Sequence, residues 1–123
     1  MITHIGVWVQ DLTACKAFYE TYFAAHANTL YTNPQKQFSS YFLSFPNSAV
    51  RLELMHQPEL APAKVSLGFA HVAFSLGSER AVAALTKRLA QAGYHTTAPR
   101  RTGDGYFEAT VEDPEGNLLE LTV

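Results

Sequence analysis

One cysteine in 123 residues, Cys15, excludes an internal disulfide and fits a reducing compartment. Charge is scarce too. Only 16% of residues are Asp, Glu, Lys or Arg, and the formal charge of −2 offers no electrostatic footprint for nucleic acid or an anionic membrane surface. No apolar run approaches the ~20 residues of a membrane-spanning helix, and the N-terminus lacks the basic, apolar, small-residue order of a secretory signal. These absences point to a cytoplasmic protein with neither nucleic-acid nor membrane partners. Apolar residues are not scarce: at 47% they suffice for a core in a single domain spanning 1–123.

The most informative stretch closes the chain. Asp113-Pro114-Glu115-Gly116-Asn117 is turn chemistry, with Pro fixing φ early and Gly supplying positive φ late. Leu118-Leu119-Glu120-Leu121-Thr122-Val123 then reads as a short strand with one carboxylate at its centre. Held dry and unpaired, that charge costs about several kcal/mol, so Glu120 needs a partner. Ala49 to Met55 repeats the pattern around Glu53, and two further strands carry a central His, His4 and His71. An offset of 67 residues separates His4 from His71, and the same offset separates Glu53 from Glu120. Two coincident offsets argue for an internal duplication whose halves supply equivalent residues.

The rest of the chain fits that plan. A strand over 2–9 precedes a helix capped at Asp11 or Thr13 and running to about residue 25. Weak strand signal near 28–33, a strand over 37–45 and the Glu53 strand complete a module over 1–57. Residues 58–66, with Pro58 and Pro62, read as a linker. In the module over 67–123, a strand over 67–76 leads to a helix over 79–92 capped by Ser78 and ended by Gly93. Strands over 94–97, 106–112 and 118–123 follow. The expected fold is α+β: two tandem βαβββ modules forming a curved eight-stranded cup, with the helices on its outer face.

Period-two geometry assigns the faces. Ile5, Val7 and Val9 suit packing on a helix, which leaves His4 and Trp8 on the other side. By the same alternation Arg51, Glu53 and Met55, Phe69 and His71, and Leu118, Glu120 and Thr122 also face away from the helices. Two imidazoles and two carboxylates form an N2O2 set suited to one divalent ion (Zn, Ni, Co, Fe or Mn), among which donor softness does not choose. Such an ion supplies the positive partner that Glu53 and Glu120 require. Trp8, Arg51, Met55 and Phe69 are the candidate substrate-lining residues. Glu108 and Tyr106 are further candidates for the cavity. His56 alternates away from Glu53, His26 and His95 fall at element ends, and Cys15 falls on the apolar side of its helix.

These features together resemble the vicinal oxygen chelate superfamily. The resemblance rests on the duplicated module, the His4 strand leading to Asp11-Leu12 and Phe18-Tyr19, the Gly68 to Phe74 strand, and the Val111 to Leu121 segment with its Asp-Pro-x-Gly turn. Members include glyoxalase I, bleomycin-resistance proteins, fosfomycin-resistance enzymes, methylmalonyl-CoA epimerase and extradiol dioxygenases. The ligand order His, Glu, His, Glu is similar to that of glyoxalase I, carried here onto His4, Glu53, His71 and Glu120. The resemblance implies a metal-dependent lyase or isomerase in which Glu53 and Glu120 move the proton, with their order left open. Bacterial glyoxalase I carries an arginine near the end of the first strand that meets the glutathione carboxylate; Trp8 stands there in this chain. The resemblance therefore implies a small chelating oxygenated substrate other than the standard glutathione hemithioacetal. Two rival readings stand beside it: a binding protein that sequesters a drug or aromatic compound, and a ring-cleaving dioxygenase. Two half-cups have to meet to enclose a site, and a homodimer that shares each site between its chains is expected.

Overall fold

Alternating burial builds the first strand, β1 (His4–Trp8), and the strand beside it, β5 (Arg51–His56). The computed structural model describes residues 2–60, 67–103 and 105–123, and the chain divides into two compact units, Met1–Ser66 and Leu67–Val123. Between β1 and β5 the first unit holds α1 (Leu12–Phe23), β2 (His26–Ala27), β3 (Tyr31–Asn33) and β4 (Phe38–Ser44). β1 runs parallel to β5, which pairs antiparallel with β4. α1 starts where the Asp11 carboxylate accepts the Ala14 N–H at 2.9 Å, and it stops at Ala24 in the left-handed region. Its buried Cys15, Phe18, Tyr19 and Phe23 recur at helical spacing, and it packs on β4 and β5, where Leu43, Leu52 and Leu54 are buried.

The weak strand signal near 28–33 resolves into two short strands on one edge of β4. His26 pairs with Ser44, whereas Tyr31 pairs with Ser40, one residue out of step. Asn28 fills the break: its side-chain oxygen accepts the Phe42 N–H at 2.8 Å, and its own N–H donates to the Phe42 carbonyl. This is an edge strand divided by a bulge, and it raises the strand count of the first sheet to five.

The second unit runs β6 (Val72–Ser75), α2 (Glu79–Gln91), β7 (Arg100–Arg101), β8 (Phe107–Glu112) and β9 (Leu118–Thr122). Its sheet order is β6-β9-β8-β7, with β6 parallel to β9. The Ser78 hydroxyl accepts the Ala81 N–H at 3.1 Å to start α2, and Gly93 follows the helix at φ +92°. Val82, Thr86 and Leu89 are buried, and α2 packs on β8 and β9. Two expectations shift. Over 94–97 there is only a bridge from Thr96 to Val111, and pairing resumes one residue out of step at Arg100 and Glu108. Pro99, which has no N–H to donate, lies in that gap. The strand expected over 67–76 begins at Val72, so His71 is the residue just before it. The expected linker is described only through residue 60, so its remainder over 61–66 lies outside the described residues. The α+β plan of two modules therefore holds, as a five-stranded and a four-stranded sheet, each with one helix on one face.

The Asp-Pro-x-Gly turn is a register device. The Asp113 side chain is almost fully buried, and its Oδ1 accepts the N–H groups of Glu115 and Asn117, each at 2.9 Å. The Asn117 amide reaches both Asp113 oxygens, and Gly116 turns at φ +80°. β9 is thereby fixed against β8, with Glu120 opposite Thr110. Asp113→Ala is expected to lower stability by about 1–3 kcal/mol, because it strands part-buried N–H donors that a carboxylate now satisfies. Urea denaturation measures the loss. A change within about 0.5 kcal/mol, the range of ordinary surface substitutions, would mean the turn closes without that carboxylate.

Candidate metal centre

In each unit one His and one Glu meet through the same register. Glu53 pairs with Gly6, two residues beyond His4, and Glu120 pairs with Ala73, two residues beyond His71. His4 Nε2 stands 3.7 Å from Glu53 Oε2, and His71 Nε2 stands 3.4 Å from Glu120 Oε2. Both carboxylates are mostly buried, 16% and 19% exposed, while both imidazoles stay open at 39% and 41%. The buried leucines flanking each Glu take the helix side, so each pair lies on the opposite face of its sheet.

The His71–Glu120 separation suits two donors to one cation, and the His4–Glu53 separation is a few tenths of an ångström wider. Donors each about 2.0–2.1 Å from an ion stand about 3.0 Å apart at a right angle and about 3.4 Å apart at a tetrahedral one. The His4 Nδ1 lies 3.1 Å from the Thr3 hydroxyl. With the ring proton on Nδ1 and donated there, Nε2 carries its lone pair toward Glu53, the tautomer that a metal ligand requires. Among the described residues no three His, Cys, Asp or Glu side chains gather to hold an ion, so each unit supplies a pair of donors. The donor chemistry of each pair, one imidazole and one carboxylate, fits part of a ligand set for a divalent metal.

The surroundings of the two pairs differ. In the first unit Phe42 lies opposite Glu53, meets the His4 ring edge-on at 5.2 Å, and carries the Arg51 guanidinium 4.4 Å from its ring centre. Trp8, 47% exposed, meets Phe38 edge-on at 6.1 Å, and Tyr31 lies 6.2 Å beyond Phe38. Met55 leans over Gly6, where an added Cβ would lie 2.8 Å from its terminal methyl. Glycine at that position leaves the thioether room beside Glu53. In the second unit the corresponding face is polar. Glu108 is 17% exposed and pairs with Arg100 at 3.6 Å, Thr97 and Thr110 share a hydrogen bond, and Thr122 Oγ1 is buried with no partner among the described residues.

Of the residues singled out from sequence, Trp8, Arg51 and Met55 stand on the same face as His4 and Glu53. Phe69 lies before β6 and is fully exposed in this chain. Glu108 lies on the face of Glu120, whereas Tyr106 precedes β8 and is exposed. The other histidines stand apart from the pairs. His56 Nδ1 lies 2.9 Å from the Val9 carbonyl, His95 pairs with Glu112 at 3.1 Å, and His26 sits on the short β2. Cys15 is fully buried in the core. Phe38, Phe42 and Tyr31 are site neighbours that the sequence does not single out. The alternation Phe38, Ser40, Phe42 is visible in it, but only the pairing of Phe42 with Glu53 reveals which face those rings take.

Comparison with known proteins bears on the family and the fold. The family model described as the Glyoxalase/Bleomycin resistance protein/Dioxygenase superfamily matches residues 1–121. An uncharacterised protein of Pseudomonas aeruginosa is 32% identical over 124 residues, covering 98% of this chain and 86% of that one. A glyoxalase family protein from Enterococcus faecalis has a similar structure, with a TM-score of 0.83 at 23% identity over 100% of this chain and 97% of that chain. The trypanothione-dependent glyoxalase I of Leishmania major gives a TM-score of 0.80 at 21% identity, covering 99% of this chain and 85% of that chain. At those identities the two structures speak for the fold.

Proposed function

Because the chain belongs to the glyoxalase/bleomycin resistance protein/dioxygenase superfamily, we propose that it is a metal-dependent lyase or isomerase of the glyoxalase type. Its substrate is a small compound with two adjacent oxygens. The observation that carries this reading is the matched register of the pairs His4–Glu53 and His71–Glu120, one from each unit. His4, Glu53, His71 and Glu120 would hold one divalent ion, and such an ion supplies Lewis acidity toward the paired oxygens. The chain's own contribution is proton movement and placement. Glu53 and Glu120 are mostly buried carboxylates whose free oxygens can take a proton from carbon and return it to the neighbouring carbon. Phe42, opposite Glu53 in the register, limits water around it, and the Met55 and Trp8 surfaces favour an apolar substituent on the substrate. The site is completed in a homodimer, where the pair from one chain meets the complementary pair of its mate.

Metal analysis tests this reading. Protein purified, stripped with chelator and reloaded is expected to retain one divalent ion per tetrad after dialysis, and His4→Ala protein is expected to lose it. A wild-type protein that retains none would favour the binding-protein alternative, for which the exposed Trp8 and its neighbour Phe38 are the supporting observation.

Substrate choice yields a second expectation. Trp8 presents no cation to a glutathione carboxylate, so catalytic efficiency toward the hemithioacetal of methylglyoxal and glutathione should fall at least ~100-fold below the range ordinary for an enzyme acting on its own substrate. The ultraviolet absorbance of the thioester product reports the rate. Turnover within the ordinary range that is unaffected by substituting Arg51, Arg100 and Arg101 would show that recognition of the adduct needs no such cation.

A further inference from the structure

Three arginines lie outside the helices, and the structure separates them. Arg100 is paired with Glu108 at 3.6 Å, and Arg101 is paired with Glu79. Arg51 has no carboxylate partner among the described residues. Its guanidinium lies instead on the face of Phe42, 4.4 Å from the ring centre, and its backbone is in register with His4. Phe42 thus touches both the guanidinium and the His4 imidazole, setting a cation directly beside the proposed metal pair.

We infer that Arg51 is the specificity-determining residue for a carboxylate on the substrate. This deepens the proposed function and rests on it for taking this face as the substrate side. The Phe42 ring lies against the guanidinium, whose fork of N–H groups matches the two oxygens of a planar carboxylate. Neighbouring strands lie about 4.8 Å apart, so a small acid held by Arg51 reaches the His4–Glu53 pair without an extended linker. The charge balance selects a monoanion. The Arg51 guanidinium can neutralise the single charge of a carboxylate through a paired contact, whereas the second charge of a dianionic phosphate is left to the repulsion of Glu53, two residues along on the same face. The aromatic surface of Trp8 and Phe38 lies toward the other end of β1, where it can hold an apolar group of the same molecule. The substrate class is therefore a small monocarboxylic acid bearing an apolar or aryl substituent.

Phenylacetate, phenylacetamide and phenyl phosphate titrated into metal-free protein test the inference without relying on turnover. Backbone amide shifts at Phe42 and Arg51 report binding, and so does the fluorescence of Trp8, the only tryptophan in the chain. Phenylacetate is expected to bind at least ~10-fold more tightly than phenylacetamide, as for a charge-assisted hydrogen bond of about 1.5–3 kcal/mol. Arg51→Gln should erase that difference, and Arg51→Lys should restore part of it. Equal binding of acid and amide, no effect of Arg51→Gln, or tighter binding of phenyl phosphate than of phenylacetate would each overturn the assignment. Metal retention by wild-type and His4→Ala protein is measured separately, so a failed metal reading and a failed Arg51 reading give different results.

Discussion

Glu53→Ala is expected to weaken divalent-metal binding by at least ~100-fold while leaving the metal-free protein as stable as wild type. Loss of a residue that merely supports a ligand typically costs about 10–100-fold in affinity, so losing the ligand itself should exceed that range. In the metal-free chain the Glu53 carboxylate is 16% exposed and 3.7 Å from an imidazole, a poor exchange for lost hydration, so its removal relieves a desolvation cost. Leu54, next in sequence but fully buried on the helix side, is the contrast. Leu54→Ala should lose about 2–5 kcal/mol of stability from the cavity it leaves. Calorimetric metal titration and thermal melts of the chelator-treated proteins check both arms. A Glu53→Ala protein that binds metal normally but melts well below wild type would make Glu53 a structural residue.

Complementation between mutant chains should be nearly all-or-none. His4→Ala and Glu120→Ala proteins, each alone, are expected to retain no metal. In a dimer whose sites are shared, mixed chains place both lesions in one site and leave the other intact, so the heterodimer recovers one ion of two. The arithmetic follows from the placement of the pairs, His4 with Glu53 in the first unit and His71 with Glu120 in the second. Native mass spectrometry of unfolded, mixed and refolded chains resolves the species. A heterodimer without metal, formed under conditions where refolded wild type regains it, would place each complete site within one chain.

Much of this protein is legible in its sequence. The offset shared by His4, His71, Glu53 and Glu120 predicts a duplicated module, and the duplication is present as two units with matching registers. Asp11 and Ser78 cap the two helices as their short polar side chains suggest, because a missing backbone acceptor at a helix start is a local need with a local solution. The strands that carry Glu53 and Glu120 are readable for a similar reason: alternation is written in consecutive residues. The edge strands are not. β2, β3 and β7 are two or three residues long and divided by bulges, and their existence depends on hydrogen bonds offered by β4 and β8 rather than on their own composition.

Sequence by itself determined which residues are the candidate donors, because a lone carboxylate among leucines and a repeat offset need no partner to be seen. Tertiary structure decided what surrounds them. Only the pairing of β4 with β5 brings Phe42 against both His4 and Arg51, and only ion pairing elsewhere distinguishes Arg51 from Arg100 and Arg101. Those are contacts between residues distant along the chain, set by strand register, and a one-residue slip in β4 would turn Phe42 to the helix side and leave the Arg51 guanidinium without its platform.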